Sequence, residues 1–336
     1  MKPVVLDGKR VGPGEPVYII AEGANNHAGD HAIAMEMVRA AAATGADAVK
    51  FQCMDADAFA VPDYEWYGVY QKLRFTKQEW KDLRFCASDN GISFCVDVLD
   101  PPSVDLQVAI GTPFFRLHAG DLVNPYLLEH AARTGVPLLL HTGMTTLGEI
   151  EFAIERITAA GNDQIVLLHG FQDHPSHYAD MHLRVIRSYQ EIFDRPVGFN
   201  DHTTDSVAAL ASVGAGSMAI EKHFTTDRAA KRYDWVSALE PGEFKKMVED
   251  IRNAEVSLGE AIRRPTAKEL AWRESTRKTL VAREDLAEGT LLTLEHVDFK
   301  RRVPLGIGPL EAERLLGKRL RRAVHRNEPI GPEDLA

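Results

Sequence analysis

From Val17 to about residue 258 the chain alternates short unbroken apolar runs with longer stretches of helical character. The runs are VYIIAE (17–22), DAVKFQ (47–52), ISFCVD (92–97), PFFRLH (113–118), PLLLH (137–141), QIVLLH (164–169), VGFN (197–200) and SMAIEKHF (217–224). Between them lie stretches such as HAIAMEMVRAAAATG, TKQEWKDLRFCASDNG and MTTLGEIEFAIERITAAG. Several end at a glycine (Gly45, Gly91, Gly135, Gly161), the residue best suited to the left-handed position just past a helix. Strands that are apolar throughout, rather than alternating, are expected where helices cover a parallel sheet. Eight such units in about 250 residues predict a closed (β/α)₈ TIM barrel over residues 1–260, and no Gly-x-Gly-x-x-Gly follows the first strand to favour a dinucleotide fold.

In such a barrel chemistry sits at the C-terminal ends of the strands. The residues there are Glu22, Asn25-Asn26-His27, Lys50, Gln52, Asp97, Arg116, His118, His141, His169, Asn200-Asp201-His202, Glu221 and His223. The last five strands each carry a histidine at that end, out of 13 in the chain, which predicts a polar pocket at one barrel mouth.

After Gly259 the pattern breaks. Residues 261–277 are charged and interrupted by Pro265, and read as a linker with one helical piece. Residues 278–336 hold short apolar runs between turn signals such as Ala287-Glu288-Gly289, a small β-rich domain with a limited core of its own. It is expected to lean on the barrel or on a second chain. This tail has 11 Lys/Arg against 10 Asp/Glu, so the net charge of −10 resides in the part before it. An acidic chain argues against nucleic acid as main partner. No apolar run approaches the ~18–20 residues that cross a bilayer, and the N-terminus does not read as a signal peptide. Cys53, Cys86 and Cys95 lack metal-type spacing and are expected as reduced thiols of a cytoplasmic protein.

The segments IIAEGANNHAGD, GADAVKFQ, HTGM, LLHG, NDHTTD, EKHF, KRRVPLGIGP and LLGK occur in an order that resembles the sialic acid synthase family over nearly the full chain. The resemblance implies a TIM barrel followed by an antifreeze-like (SAF) domain, and an enzyme joining phosphoenolpyruvate to an N-acylhexosamine-type aldehyde with release of phosphate. It implies a homodimer in which the small domain reaches across to the partner's site. His202 and His223 match the histidines that hold a divalent metal, manganese first and Mg²⁺ or Co²⁺ as alternatives. Glu22 matches an active-site glutamate, for which a structural salt bridge to Lys50 is the plain alternative. Lys50 matches a phosphoenolpyruvate contact, Glu221 and Asp234 match sugar contacts, and Arg302 matches the arginine donated across the dimer.

Other positions depart from the family. Asp97 replaces a threonine, Arg116 a lysine, Ala119, His141 and Asn200 serines, Gln172 an asparagine and His174 a sugar-side tyrosine. Val303-Pro304 replaces a Pro-Gly pair, and the loop after the second strand is shorter. Arg116, His141, Gln172, His174 and Asn200 are therefore expected as rearranged substrate contacts. Like charges ~4 Å apart repel by about 4 kcal/mol at an effective dielectric of ~20, so Asp97 must be neutralised, turned away or bound to another cation. Two other functions remain open: a metal-dependent aldolase or lyase acting on a different 2-oxo acid, with His118, His141 and Asp97 reshaping the site, and a sugar-binding barrel without turnover.

Overall fold

The computed structural model describes residues 1–336, which divide into two units, Met1–Gly259 and Glu260–Ala336. A hairpin of β1 (Val4–Leu6) and β2 (Lys9–Val11) opens the first unit. Eight strands follow: β3 (Tyr18–Ala24), β4 (Ala48–Cys53), β5 (Ser93–Val98), β6 (Phe114–Leu117), β7 (Leu138–His141), β8 (Ile165–Gly170), β9 (Val197–Asp201) and β10 (Ala219–His223). All pair in parallel with their neighbours, and β10 closes on β3. The eight expected runs are thus the eight staves of a TIM barrel.

Helices between the strands start where the sequence supplies caps. Asp30 accepts from the amides of Ala32 and Ile33, and Thr76/Glu79 and Thr146/Glu149 form reciprocal capping boxes. Gly45, Gly91, Gly135 and Gly161 all adopt positive φ after their helices.

The barrel holds two interleaved cores. Outward residues such as Ile19, Val49, Val96, Leu140, Leu167 and Phe199 pack under the helices. Inward residues Tyr18, Ile20, Ala48, Cys95, Phe114, Leu139, Leu168 and Ala219 fill the interior, together with Val4, Leu6 and Val11 of the hairpin. Because both faces are apolar near the strand starts, the runs show no alternation. The hairpin is too short to leave a periodic signal, and the interior it packs into is visible only once the barrel closes.

The second unit begins with a helix, Ala267–Thr276, inside the expected linker, followed by the antiparallel pair β11 (Lys278–Ala282) and β12 (Val297–Arg301). Its own core gathers Leu280, Ala282, Leu286, Leu292, Val297, Leu320, Val324 and Ile330. Arg302 follows β12 and is half-buried within this unit.

Candidate active site

Strand alternation decides which polar residues share the mouth. In β3, β4, β5, β6, β9 and β10 the inward positions toward the mouth include Glu22, Lys50, Asp97, Arg116, Asn200 and Glu221, with Gln52 and His223 the next inward positions on β4 and β10. Their outward neighbours go elsewhere. His169 packs against Tyr189 and Phe199, its Nε2 2.8 Å from the Met181 carbonyl. His27 stacks on Phe75 with centroids 4.5 Å apart, and Asp201 pairs with Lys222 at 3.3 Å, both wholly buried. So the histidine of β8 turns away from the mouth, although the strand-end pattern had included it, because it stands one residue out of phase with the inward set.

The mouth encloses a cavity of about 240 Å³. Its wall carries Glu22, Arg116, Gln172, His174, His202, Glu221, His223 and Asp234 from the expected set. Lys50, His141 and Asn200 lie in the layer below, no more than 1% exposed. Lys50 bonds to three carboxylates: Glu22, Asp97 at 2.9 Å and Glu221 at 2.9 Å. An ammonium has three donors, so all are committed inside the protein. Asn200 donates to Glu221, and neither ring nitrogen of His141 has a partner within the protein. Glu22 therefore makes the salt bridge to Lys50 and also lines the cavity at the mouth.

Asp97 is neutralised twice, by Lys50 and by Arg116 Nη1 at 2.7 Å. Arg116 also reaches Glu221 at 3.4 Å. Three carboxylates thus face two cations, an excess of one negative charge in a water-poor layer. Burial, opposed by Lys50 and reinforced by Glu221 and Asp97, pushes the Glu22 carboxyl up to about 8. Burial also raises the pKa of Asp97, but Arg116 and Lys50 outweigh it and hold this carboxyl below its ordinary range. The repulsion among the three carboxylates thus falls on Glu22 more than on Asp97. Of the two cations only Arg116 reaches the cavity wall.

Three imidazoles crowd together on the same cavity. The ring centroids of His174 and His202 are 4.1 Å apart, those of His202 and His223 5.1 Å, and one ligand atom from each ring lies within 4.8 Å of the others. Burial holds His202 and His223 well below 6.5 and lowers His174, which keeps the rings neutral and their lone pairs free at neutral pH. The donor set fits a divalent transition metal. His174 was expected only as a substrate contact. What brings it here is the loop after β8, whose path the sequence does not reveal.

The model of the NeuB family matches residues 37–263, and that of the SAF domain matches residues 277–336. The chain belongs to the NeuB family. It is 37% identical to an uncharacterised protein of Methanocaldococcus jannaschii over 301 residues, covering 90% of this chain and 89% of that one. To the N,N'-diacetyllegionaminic acid synthase of Legionella pneumophila it is 33% identical over 321 residues, covering 90% of each. Among solved structures, the N-acetylneuraminic acid synthetase of Leptospira borgpetersenii superposes with a TM-score of 0.76 at 29% identity, covering 82% of this chain and 97% of that one.

In this NeuB-family chain further residues line the cavity that the sequence did not single out: Phe59 and Tyr70 from the segment between β4 and β5, and Met54 and Leu99. Phe59 and Tyr70 meet edge-to-face with centroids 5.1 Å apart. Their signal was an aromatic cluster, Phe59 to Tyr70, in a loop with no matching motif. Asp234 returns to the mouth because the segment after β10 folds back, Thr225 N–H bonding to the Leu239 carbonyl at 3.1 Å and Leu239 N–H to the His223 carbonyl at 2.8 Å. Arg302 belongs to the SAF unit.

Proposed function

We propose that this protein condenses phosphoenolpyruvate with an N-acylhexosamine-type aldehyde to give a nonulosonic acid and phosphate. The observation that carries the reading is the convergence of His202, His223, Glu22 and Arg116 on one cavity in a NeuB-family barrel. The relatives with named activities include legionaminic and N-acetylneuraminate-9-phosphate synthases. His202 and His223 would hold a divalent ion, which supplies Lewis-acid polarisation of the aldehyde carbonyl. Arg116, the cation on the wall, orients the anionic substrate through its fork of donors. Glu22, with its carboxyl pushed up to about 8, is suited to give or take a proton beside the reacting carbons. Gln172 and Asp234 offer hydrogen bonds to the sugar from the rim, and His141 and Asn200 shape the floor beneath.

One observation favours a second reading, a metal-dependent aldolase or lyase on a 2-oxo acid. Asp97 already occupies both cations, Lys50 and Arg116, that a phosphate would seek. Purified protein with Mn²⁺, phosphoenolpyruvate and a panel of N-acyl hexosamines separates the two. Phosphate release that depends on both aldehyde and metal supports the synthase. Cleavage or condensation of a 2-oxo acid with no phosphate release supports the aldolase. His202→Ala and His223→Ala should each lower turnover by ~10³-fold or more while the fold persists by circular dichroism. Full activity of either variant in chelator removes the metal from the reading.

The protein is further proposed to act as a homodimer with Arg302 of each SAF domain completing the partner's site. A cytoplasmic setting fits three free, buried cysteines, and no helix is long and apolar enough to cross a membrane.

A further inference from the structure

His202 and His223 close adjacent strands, but His174 comes from the loop after β8 and is held in place from two sides. The Ser176 N–H donates to the His202 carbonyl at 3.0 Å, and His202 Nδ1–H donates to the Phe171 carbonyl at 2.6 Å. The loop and the end of β9 are therefore pinned together on both sides of His174.

Those bonds also sort the ring nitrogens. With Nδ1–H of His202 committed to a carbonyl, its Nε2 carries a free lone pair. His174 Nδ1 lies 3.2 Å from the Ser237 hydroxyl, which also faces the Asp234 carbonyl at 3.4 Å. In the tautomer in which His174 Nδ1–H donates to that hydroxyl, Nε2 of His174 is unprotonated as well. His223 Nδ1 is buried and has no hydrogen-bond partner in the protein. Each ring thus has a nitrogen that no protein donor claims, and ligand atoms of all three lie within 4.8 Å of one another.

We propose that His174 is a third protein ligand, so that the ion at the barrel mouth is held by three neutral imidazoles rather than two. The proposal rests on the metal-assisted reading above and deepens it. Zn–N bonds of ~2.0–2.1 Å place ligand nitrogens about 3.3 Å apart, so ring pivots of about an ångström close the set. Three imidazoles with no carboxylate among them suit Zn²⁺, Co²⁺ or Fe²⁺ better than Mg²⁺ or Mn²⁺, which prefer oxygen. The set also leaves the ion's charge uncompensated by its protein ligands. A substrate carboxylate or hydroxyl-carbonyl pair, both anionic or oxygen-rich, is the chemistry that such a site would draw in.

The full-length protein, stripped with chelator, is titrated with Co²⁺ and followed by visible absorption and calorimetry, then competed with Mn²⁺. The expected result is a strong d–d band, preference for Co²⁺ over Mn²⁺, and at least a roughly 100-fold loss of Co²⁺ affinity in His174→Ala. The preference for Co²⁺ over Mn²⁺ should shrink toward parity in this variant. His174→Asn, tested in parallel with a thermal melt on each variant, separates ligand loss from misfolding. Wild-type affinity and spectrum in a folded His174 variant, with binding lost in His202→Ala, overturns the third ligand and leaves the two-histidine reading standing. If the wild-type protein binds none of Co²⁺, Zn²⁺ or Mn²⁺, both fall.

Discussion

Asp97 is fully buried, and each carboxylate oxygen accepts from a different cation, Lys50 at 2.9 Å and Arg116 at 2.7 Å. Removing one member of a buried ion pair typically costs ~3–5 kcal/mol, because the other charge is left uncompensated. Here Glu22 and Glu221 remain to balance Lys50 and Arg116, so the loss should be smaller. Asp97→Thr is expected to fold and to release Arg116 toward an anion in the cavity. It should also lower the Glu22 pKa, since Asp97 is one of the charges that raise it. The concentration of inorganic phosphate needed to shift the melting temperature should fall on the order of ten-fold, about 1.4 kcal/mol. An unchanged phosphate response would mean that Asp97 does not compete with anions.

The strands depend on close backbone approach at particular residues. A Cβ on Gly198, the second residue of β9, would sit 2.6 Å from the Ala219 carbonyl oxygen and 2.8 Å from Leu168 Cδ2. Neither can move cheaply, since one is backbone of the adjoining strand and the other fills the barrel interior. Gly198→Ala is expected to destabilise by about 1–3 kcal/mol, read from urea midpoints. Because β9 also carries Asn200 and leads into His202, metal affinity should fall along with stability. Normal stability in this variant would show that the barrel interior is looser at β9 than its packing implies.

The molecule as a whole keeps an unusual number of neutral imidazoles inside. Burial lowers His27 and His118 to about 4, holds His141, His202 and His223 well below 6.5, and lowers His169 and His174. In the unfolded chain each takes up a proton near ~6.5. The folded state therefore binds fewer protons, and the stability this provides is complete above pH 6.5 and lost as the pH falls below it. Glu22 acts in the opposite sense: raised to about 8, its contribution is full below ~4.3 and lost as pH rises through 8. Below pH 6.5 the histidines outnumber it. Denaturation midpoints in chelator should peak near neutrality and drop steeply toward pH 4, whereas a flat profile there would mean that the buried rings take up protons without unfolding. At the level of assembly, Arg302→Ala should chiefly weaken sugar use. Mixing it with Glu22→Ala should restore part of the activity through dimers that keep one intact site, and no recovery in demonstrably mixed dimers would argue against sharing.

The eight staves were legible because each is an apolar run bounded by helix caps and glycines, all local features of the chain. Glu22, Arg116, His202, His223 and Glu221 were legible as members of one mouth because the barrel puts chemistry at strand ends and the motifs resemble a family. The facing of each side chain was not. A shift of one residue sends His169 under a helix while His141, at the end of the preceding strand, points inward, and only the closed barrel fixes that phase. Nor could the sequence show that Asp97 bridges Lys50 and Arg116, residues 47 and 19 positions away, or that His174 joins two other histidines. Local patterning determined the elements and their order. Electrostatic balance and the three-histidine cluster were decided by long-range pairing, since a charge or a lone pair acquires its role only from the neighbours that the fold brings within a few ångströms.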